Sequence, residues 1–195
     1  MRTRFTWVWA LGFIFVCLFS GSAWKKDFPI VPDILFGTAI ALVACSICGR
    51  MWCSVYIVGY KTDQLIQSGP YSISRNPLYF FSWLGGIGIA MGSQTILLPV
   101  IVAVAFLVYY PWVIASEEAV LADRHGETFA NYKAKVPRFF PAWSLLSEPE
   151  DYSMKPIVFR RHLCQVIWFA FFLSGLAYIH GLHAAGVLPV LFWIY

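Results

Sequence analysis

Residues 69–79, Gly-Pro-Tyr-Ser-Ile-Ser-Arg-Asn-Pro-Leu-Tyr, form a polar, turn-rich run set directly against an apolar stretch that begins at Leu78. Gly69-Pro70 marks a turn. Arg75 and Asn76 then supply a cation and an amide, and Pro77 suits the first turn of a helix, with Asn76 as its cap. Backbone N–H groups left free at such a start favour an anionic group, although a capped helix start with an interfacial Arg would use the same residues. A second chemical stretch, Ser116 to Gly126, opens with Glu117 and Glu118 directly after an apolar segment. A carboxylate there is expensive unless it finds a partner or meets water. Val120, Leu121, Phe129 and Tyr132 predict a helix whose apolar side rests on the bilayer surface, bent near Gly126. An acidic exit from a membrane helix followed by an amphipathic connector is the plainer alternative.

The elements that must position these residues are apolar. The chain is 59% hydrophobic and 12% charged, with a mean hydropathy of +0.68, which reads as an integral, multi-pass membrane protein. Phe5–Trp24 and Ile96–Ala115 carry no charge, and each is long enough for a hydrocarbon core of roughly 30 Å. Ile34–Gly49, Leu78–Met91 and Leu163–Ile179 are three further expected spans. Ala184–Tyr195 is too short for a full crossing, so it is a half-span, a re-entrant piece or an interfacial end. The expected fold is all-α, a polytopic helical bundle of five membrane helices, or six if the last segment crosses. It divides into N-terminal membrane helices (1–60), a core carrying the motifs (61–145) and a C-terminal membrane extension (146–195), all in one integrated domain. A signal peptide is the rival reading of the first block, with Arg2 and Arg4 as its basic start and Ser20-Gly-Ser-Ala23 as a small-residue site. Either reading leaves the later topology unchanged.

Lys25 and Lys26 fall on one side of this arrangement, whereas Arg50, Lys61, Arg75, Arg124, Lys133 and Arg138 fall on the other with all the remaining basic residues. That bias places the 61–77 loop and the 116–162 segment together in the cytoplasm, and an inner-membrane location fits the compact chain. The net charge of +4 suits anionic lipid headgroups, while the absence of a basic stripe excludes nucleic acid as a partner. Cys45-Ser-Ile-Cys48 has redox spacing without a βαβ context and reads as helix packing. Neither a disulfide framework nor a zinc site is indicated. Gly85, Gly86, Gly88 and Gly92 sit inside an apolar helix with no preceding strand, so close helix packing is expected rather than a nucleotide loop. His180 and His183 lack a third ligand nearby and read as interfacial histidines. Neither a Ser-His-Asp set nor a Walker loop nor an internal repeat is present.

Taken together, residues 50–141 resemble the membrane methyltransferase superfamily of isoprenylcysteine carboxyl methyltransferases and phospholipid N-methyltransferases. The resemblance rests on Arg50, the Gly-Pro-Tyr turn, Ser74-Arg-Asn-Pro-Leu-Tyr79, Glu117-Glu118, His125-Gly126, Tyr132 and Val136-Pro-Arg-Phe139, which stand in family order. It implies a small multi-helix enzyme without a Rossmann domain, binding S-adenosylmethionine in a cytosol-facing pocket and meeting a lipophilic small-molecule or lipid substrate from the bilayer. By the same resemblance Asp63, Gln64, Leu65 and Ile66 line the cofactor pocket through backbone. Tyr71 packs beside the cofactor, Asn76, Pro77, Leu78 and Tyr79 form its wall, and Glu117 holds it from the opposite side. A carboxylate can accept from ribose hydroxyls or an ammonium, and tyrosine faces attract a sulfonium. Arg75, as a partner for an anionic group, and Glu118, as a proton acceptor for an amine substrate, are the catalytic candidates.

Two departures from the family pattern stand out. Many relatives carry His where Asn76 stands, so this side chain is not expected to act as a base. Near Val113 the eukaryotic isoprenylcysteine enzymes place a substrate-engaging Arg, and here the position is apolar. The implied reaction is direct displacement at the cofactor's methyl group on a carboxylate, thiol-derived or amine acceptor. Phospholipid N-methylation is the alternative within the class. A membrane reductase and a non-catalytic scaffold with the same helical core are alternatives outside it. Oligomeric state is not readable from the sequence.

Overall fold

The computed structural model describes residue 12 and residues 14–57, 64–154 and 156–195. Residues 5–11 and 13 of the first expected span, and Asp63, lie outside the described residues. In chain order the elements are β1 (Ser20–Ser22), α1 (Trp24–Asp27), α2 (Ile30–Ile57), α3 (Pro70–Ile73), α4 (Pro77–Met91), α5 (Leu97–Lys135), a 3-10 turn (Trp143–Leu145), α6 (Pro156–Val166), α7 (Trp168–Ala184) and β2 (Phe192–Ile194). The architecture is helical, as expected. Among the described residues three helices are long and apolar enough to cross a membrane: Ile30–Ile57, Leu97–Lys135 and Phe159–Ala184. The expected span Leu78–Met91 is the 15-residue α4, whose rise of about 22 Å at 1.5 Å per residue falls short of a ~30 Å core.

The bundle is held by the α2–α4 pair. Gly49 leaves room for the Phe81 ring, which any Cβ at that position would strike. One turn apart along α4, Gly85 faces Ser46 and Phe169, and Gly88 faces Leu42 and Val43. The glycine run therefore serves close helix approach, as its spacing predicts, in a setting where packing rather than water exclusion drives association.

The two ends of the chain depart from an all-helical expectation. Helix does not continue to Trp24: the chain becomes extended at Ser20, and β1 pairs in parallel with β2, Gly21 opposite Trp193. Gly21 lies so close to Val190 and the Trp193 ring that a Cβ would stand 2.8 Å from the nearest atom. The last twelve residues are accordingly not a helical half-span. After α7 the chain turns at Gly186 (φ +70°) and returns as a strand against β1, and Leu97 N–H donates to the Tyr195 carbonyl at 3.0 Å. A hydropathy pattern cannot reveal this, because a three-residue ladder between sequence ends leaves no periodic signal.

The stretch after α5 straps the site loop into place. Arg75 N–H donates to Pro137 O at 2.9 Å, Ala142 N–H to Ile73 O at 2.8 Å and Gly69 N–H to Ser147 O at 2.8 Å. Residues 137–147 thus run antiparallel to residues 69–75. Beyond them Glu148 Oε1 accepts from Trp52 Nε1 at 2.9 Å and Tyr56 Oη at 3.1 Å, and the Trp143 ring stacks on Trp52. The C-terminal extension is therefore anchored on the end of α2 before α6 begins.

Candidate functional site

Two sequence-distant stretches converge at one cavity of about 410 Å³. Gln64, Leu65, Ile66, Tyr71 and Arg75 approach from the loop, with Asn76, Leu78 and Tyr79 from the start of α4. Opposite them α5 contributes Ser116, Glu117 and Glu118, then Val120 and Leu121, and after its bend Phe129 and Tyr132. Ile57 closes the α2 side.

The bend is at Gly126, whose backbone (φ 50°, ψ −120°) is not helical. This left-handed conformation is open to glycine and costly for residues with a Cβ. It swings the last two turns of α5 back over the loop, so Phe129 and Tyr132 are buried with Val136 and pack against Leu65 and Leu121. The expectation that this apolar side rests on the bilayer needs correction here: Phe129 and Tyr132 are covered by protein. Tyr132 Oη donates to the Tyr71 carbonyl at 2.6 Å, fixing the short α3 turn.

At the base of the cavity lies a cluster centred on Glu118, which is buried. Arg75 Nε donates to Glu118 Oε1 at 2.9 Å, and both side chains are about nine-tenths covered. Arg75 Nη1 donates further to the Lys133 and Val136 carbonyls at 2.9 and 2.7 Å. Asn76 Nδ2 reaches Glu118 Oε1 at 3.2 Å and the Arg138 carbonyl at 2.9 Å. Arg138 Nε stands 3.7 Å from Glu118 Oε2. A buried carboxylate with this many donors tolerates its desolvation. Asn76 is the N-cap residue of α4, yet its side chain makes no capping bond; its amide is drawn to Glu118 instead. Arg75 is held within the protein in the same way.

At the rim Tyr79 Oη donates to Glu117 Oε1 at 2.8 Å, and the Tyr79 ring meets Tyr110 edge-on at 5.0 Å. Glu117 therefore touches the wall that it was expected to face across a ligand. Pro77 does not line the cavity; it is fully buried behind it at the first position of α4. Tyr71, a lining residue of the cavity, is 6% exposed, and its hydroxyl is buried without a hydrogen-bond partner. Burial, then nearby Cys53 and Tyr132, push that hydroxyl well above the usual tyrosine range. An unpaired buried hydroxyl costs about 1–3 kcal/mol, a cost that a hydrogen-bonding partner would relieve.

Sequence reasoning placed the loop residues and Glu117 in the pocket but missed Ile57, Ser116, Val120, Leu121, Phe129 and Tyr132 as lining residues. Phe129 and Tyr132 were visible as apolar positions three apart. Only the reversal at Gly126 turns them inward.

The family described as phospholipid methyltransferase matches residues 31–128. The chain is 34% identical over 184 residues, 93% of this chain and 84% of the relative, to the cobalt-zinc-cadmium resistance protein CzcN of Cupriavidus metallidurans. It is 34% identical over 163 residues, 84% of this chain and 76% of the relative, to the nickel-cobalt-cadmium resistance protein NccN of Alcaligenes xylosoxydans xylosoxydans. No solved structure matches it. The chain belongs to the phospholipid methyltransferase family, within the membrane superfamily that also holds the isoprenylcysteine carboxyl methyltransferases.

Proposed function

We propose that this family member is a membrane methyltransferase that binds S-adenosylmethionine in the 410 Å³ cavity and methylates a lipophilic acceptor of the isoprenylcysteine carboxyl methyltransferase type. The observation that carries the reading is the convergence of Tyr71, Tyr79 and Glu117 on that cavity, with the Tyr71 hydroxyl buried and unpartnered. The residues present fit the cofactor. The volume lies in the range of about 300–1,000 Å³ typical of small-molecule sites, and the wall is mainly apolar with a few polar groups on its rim. When bound, the cofactor supplies an electrophilic methyl group on a sulfonium.

The chain's own residues then bind and orient. Aromatic faces of Tyr71 and Tyr79 favour a cation, and Glu117 can accept hydrogen bonds from sugar hydroxyls or an ammonium. Leu78, Leu121 and Phe129 exclude water, which aligned displacement requires. Glu118 acts as a positioning residue: through Arg75 and Asn76 it locks the loop to α5. The acceptor reaches the cavity from the bilayer, with the site on the cytoplasmic side of an inner membrane, the side that the distribution of Lys and Arg favours.

Phospholipid amine methylation is the second reading, favoured by the description of the matching family. Both relatives carry metal-resistance names, and we extend that setting, metal resistance, to this chain. Among the described residues no group of three or more His, Cys, Asp or Glu could hold a metal ion, so the reading does not run through metal capture. Titrating S-adenosylhomocysteine into detergent-purified protein tests the cofactor assignment. Saturable heat that weakens in Glu117→Ala and Tyr79→Phe supports it, and no heat in the intact protein moves the reading to a scaffold. Labelled methyl donor with separate pools of prenylcysteine and phosphatidylethanolamine then separates the two acceptors, a base-labile ester marking the first.

A further inference from the structure

A second cavity, of about 350 Å³, shares Arg75, Glu118 and Phe129 with the first and is otherwise lined by residues to which the methyl-transfer reading gives no role. Its cations are Arg75, Lys133 and Arg138, and Glu118 is the one carboxylate among its lining residues. Glu118 engages Arg75 at 2.9 Å and, more loosely, Arg138 at 3.7 Å, so three cations against one carboxylate leave the cavity with a positive field, carried by Lys133 and Arg138. Arg138 donates from Nη2 to the Pro111 carbonyl at 3.0 Å, and a guanidinium with five N–H groups keeps donors to offer. The floor is Ala115, Ala119 and Ala122 on α5.

That floor continues an exposed surface of α5. Val104, Val108, Trp112, Ala115, Ala119 and Ala122 follow one another at steps of three or four, within roughly 80° of arc at 3.6 residues per turn. Val104, Val108 and Trp112 are 55%, 63% and 77% exposed. Depth follows from the same helix. Ile96–Ala115 carries no charge and spans about 30 Å, the thickness of the hydrocarbon core, so Ala115 marks its boundary. The cavity occupies the next ~10 Å of rise, where headgroups lie.

We infer that this cavity seats the phosphate of an anionic phospholipid whose acyl chains lie along the Val104–Trp112 face. Lys133 and Arg138 contact the phosphate, and the alanines give the glycerol region room that larger side chains would fill. The Arg75–Glu118 pair separates this lipid from the methyl-transfer cavity, so the site stands apart from that assignment.

Native mass spectrometry of the purified protein with added phosphatidylglycerol, diacylglycerol or inorganic phosphate tests it, and needs no methyl donor. The expected result is a retained phosphatidylglycerol adduct that diacylglycerol does not give and that inorganic phosphate does not displace. Lys133→Gln and Arg138→Gln should each lower retention about fivefold. Ala119→Leu, which fills the floor without altering charge, should lower it as well. Size-exclusion profile and melting temperature report the fold of each variant. If Ala119→Leu does not fold, the exposed Lys133 still decides, because its loss alone must weaken the adduct. Unchanged retention in the two charge variants, or equal retention of diacylglycerol, would overturn the proposal. Displacement by inorganic phosphate would overturn it too, in favour of a soluble-anion site.

Discussion

The Tyr79 hydroxyl donates to Glu117 Oε1 at 2.8 Å, joining the first turn of α4 to the middle of α5 across the mouth of the larger cavity. Residues thirty-eight apart in sequence thereby close one rim, and the bond holds the carboxylate in one direction before a ligand arrives. Tyr79→Phe removes it while keeping the ring. The expected outcome is roughly a five- to tenfold loss of S-adenosylhomocysteine affinity, the scale of one net hydrogen bond, with an unchanged melting temperature. Glu117→Gln combined with Tyr79→Phe should lose less than the sum of the single changes, since the two groups act as a pair. Isothermal titration of the four proteins measures this.

Arg75 and Glu118 should matter to the fold more than any other polar pair at the site. Both are buried, and removing one partner leaves the other charge uncompensated. Arg75→Met is expected to destabilise by about 3 kcal/mol or more. Glu118→Gln keeps an acceptor for Arg75 and Asn76 and should lose about 1–2 kcal/mol. Thermal unfolding in detergent distinguishes the two, and equal, small losses would contradict the clasp.

Tyr71 predicts a trade between stability and binding. Its hydroxyl has no partner in the ligand-free protein, so Tyr71→Phe should raise the ligand-free stability by about 1 kcal/mol while weakening S-adenosylhomocysteine binding. The pH dependence has a definite sign. Burial raises the hydroxyl well above its usual value, so above about pH 10 the unfolded chain releases a proton that the folded one keeps. Stability therefore falls as pH rises past that point. Melting temperatures from pH 8 to 11 should decline less steeply in Tyr71→Phe than in the unaltered protein.

Gly126 should be a ligand-binding residue without touching a ligand. A Cβ there meets nothing within 4 Å, but the positive φ is strained for other residues. Gly126→Ala is expected to cost about 1–2 kcal/mol of backbone strain. Relieving it by straightening α5 would carry Phe129 and Tyr132 away from the loop. Affinity for S-adenosylhomocysteine should fall by more than the loss in stability accounts for, and Gly126→Asn should not rescue it, because ψ −120° lies far from the left-handed helical region that Asn tolerates.

Much of this protein is written locally. Charge-free blocks such as Ile96–Ala115 identify membrane-length helices because a hydrocarbon core excludes charge over a known thickness. Asn76-Pro77 marks a helix start because proline needs no donor there, and the glycines of α4 announce close packing because only a hydrogen in place of Cβ lets another helix approach. Gly126 signals a bend for the same kind of local reason. The ordered motifs from Gly69 to Phe139 also point to the family that residues 31–128 match.

Tertiary structure decided what those signals were for. That Asn76 turns from capping to Glu118 and the Arg138 carbonyl, and that Arg75 is held by Glu118 and two carbonyls, depends on α5 and residues 133–138 meeting the loop. The pairing of β1 with β2 joins chain ends that no local pattern relates. The separation of the two cavities by a single ion pair arises only when α5 bends. Hydropathy and turn chemistry act over a few residues, so the sequence by itself determined the elements and their breaks. Which buried donor meets which acceptor depends on groups tens of residues apart, and the assembled fold alone brings them within reach.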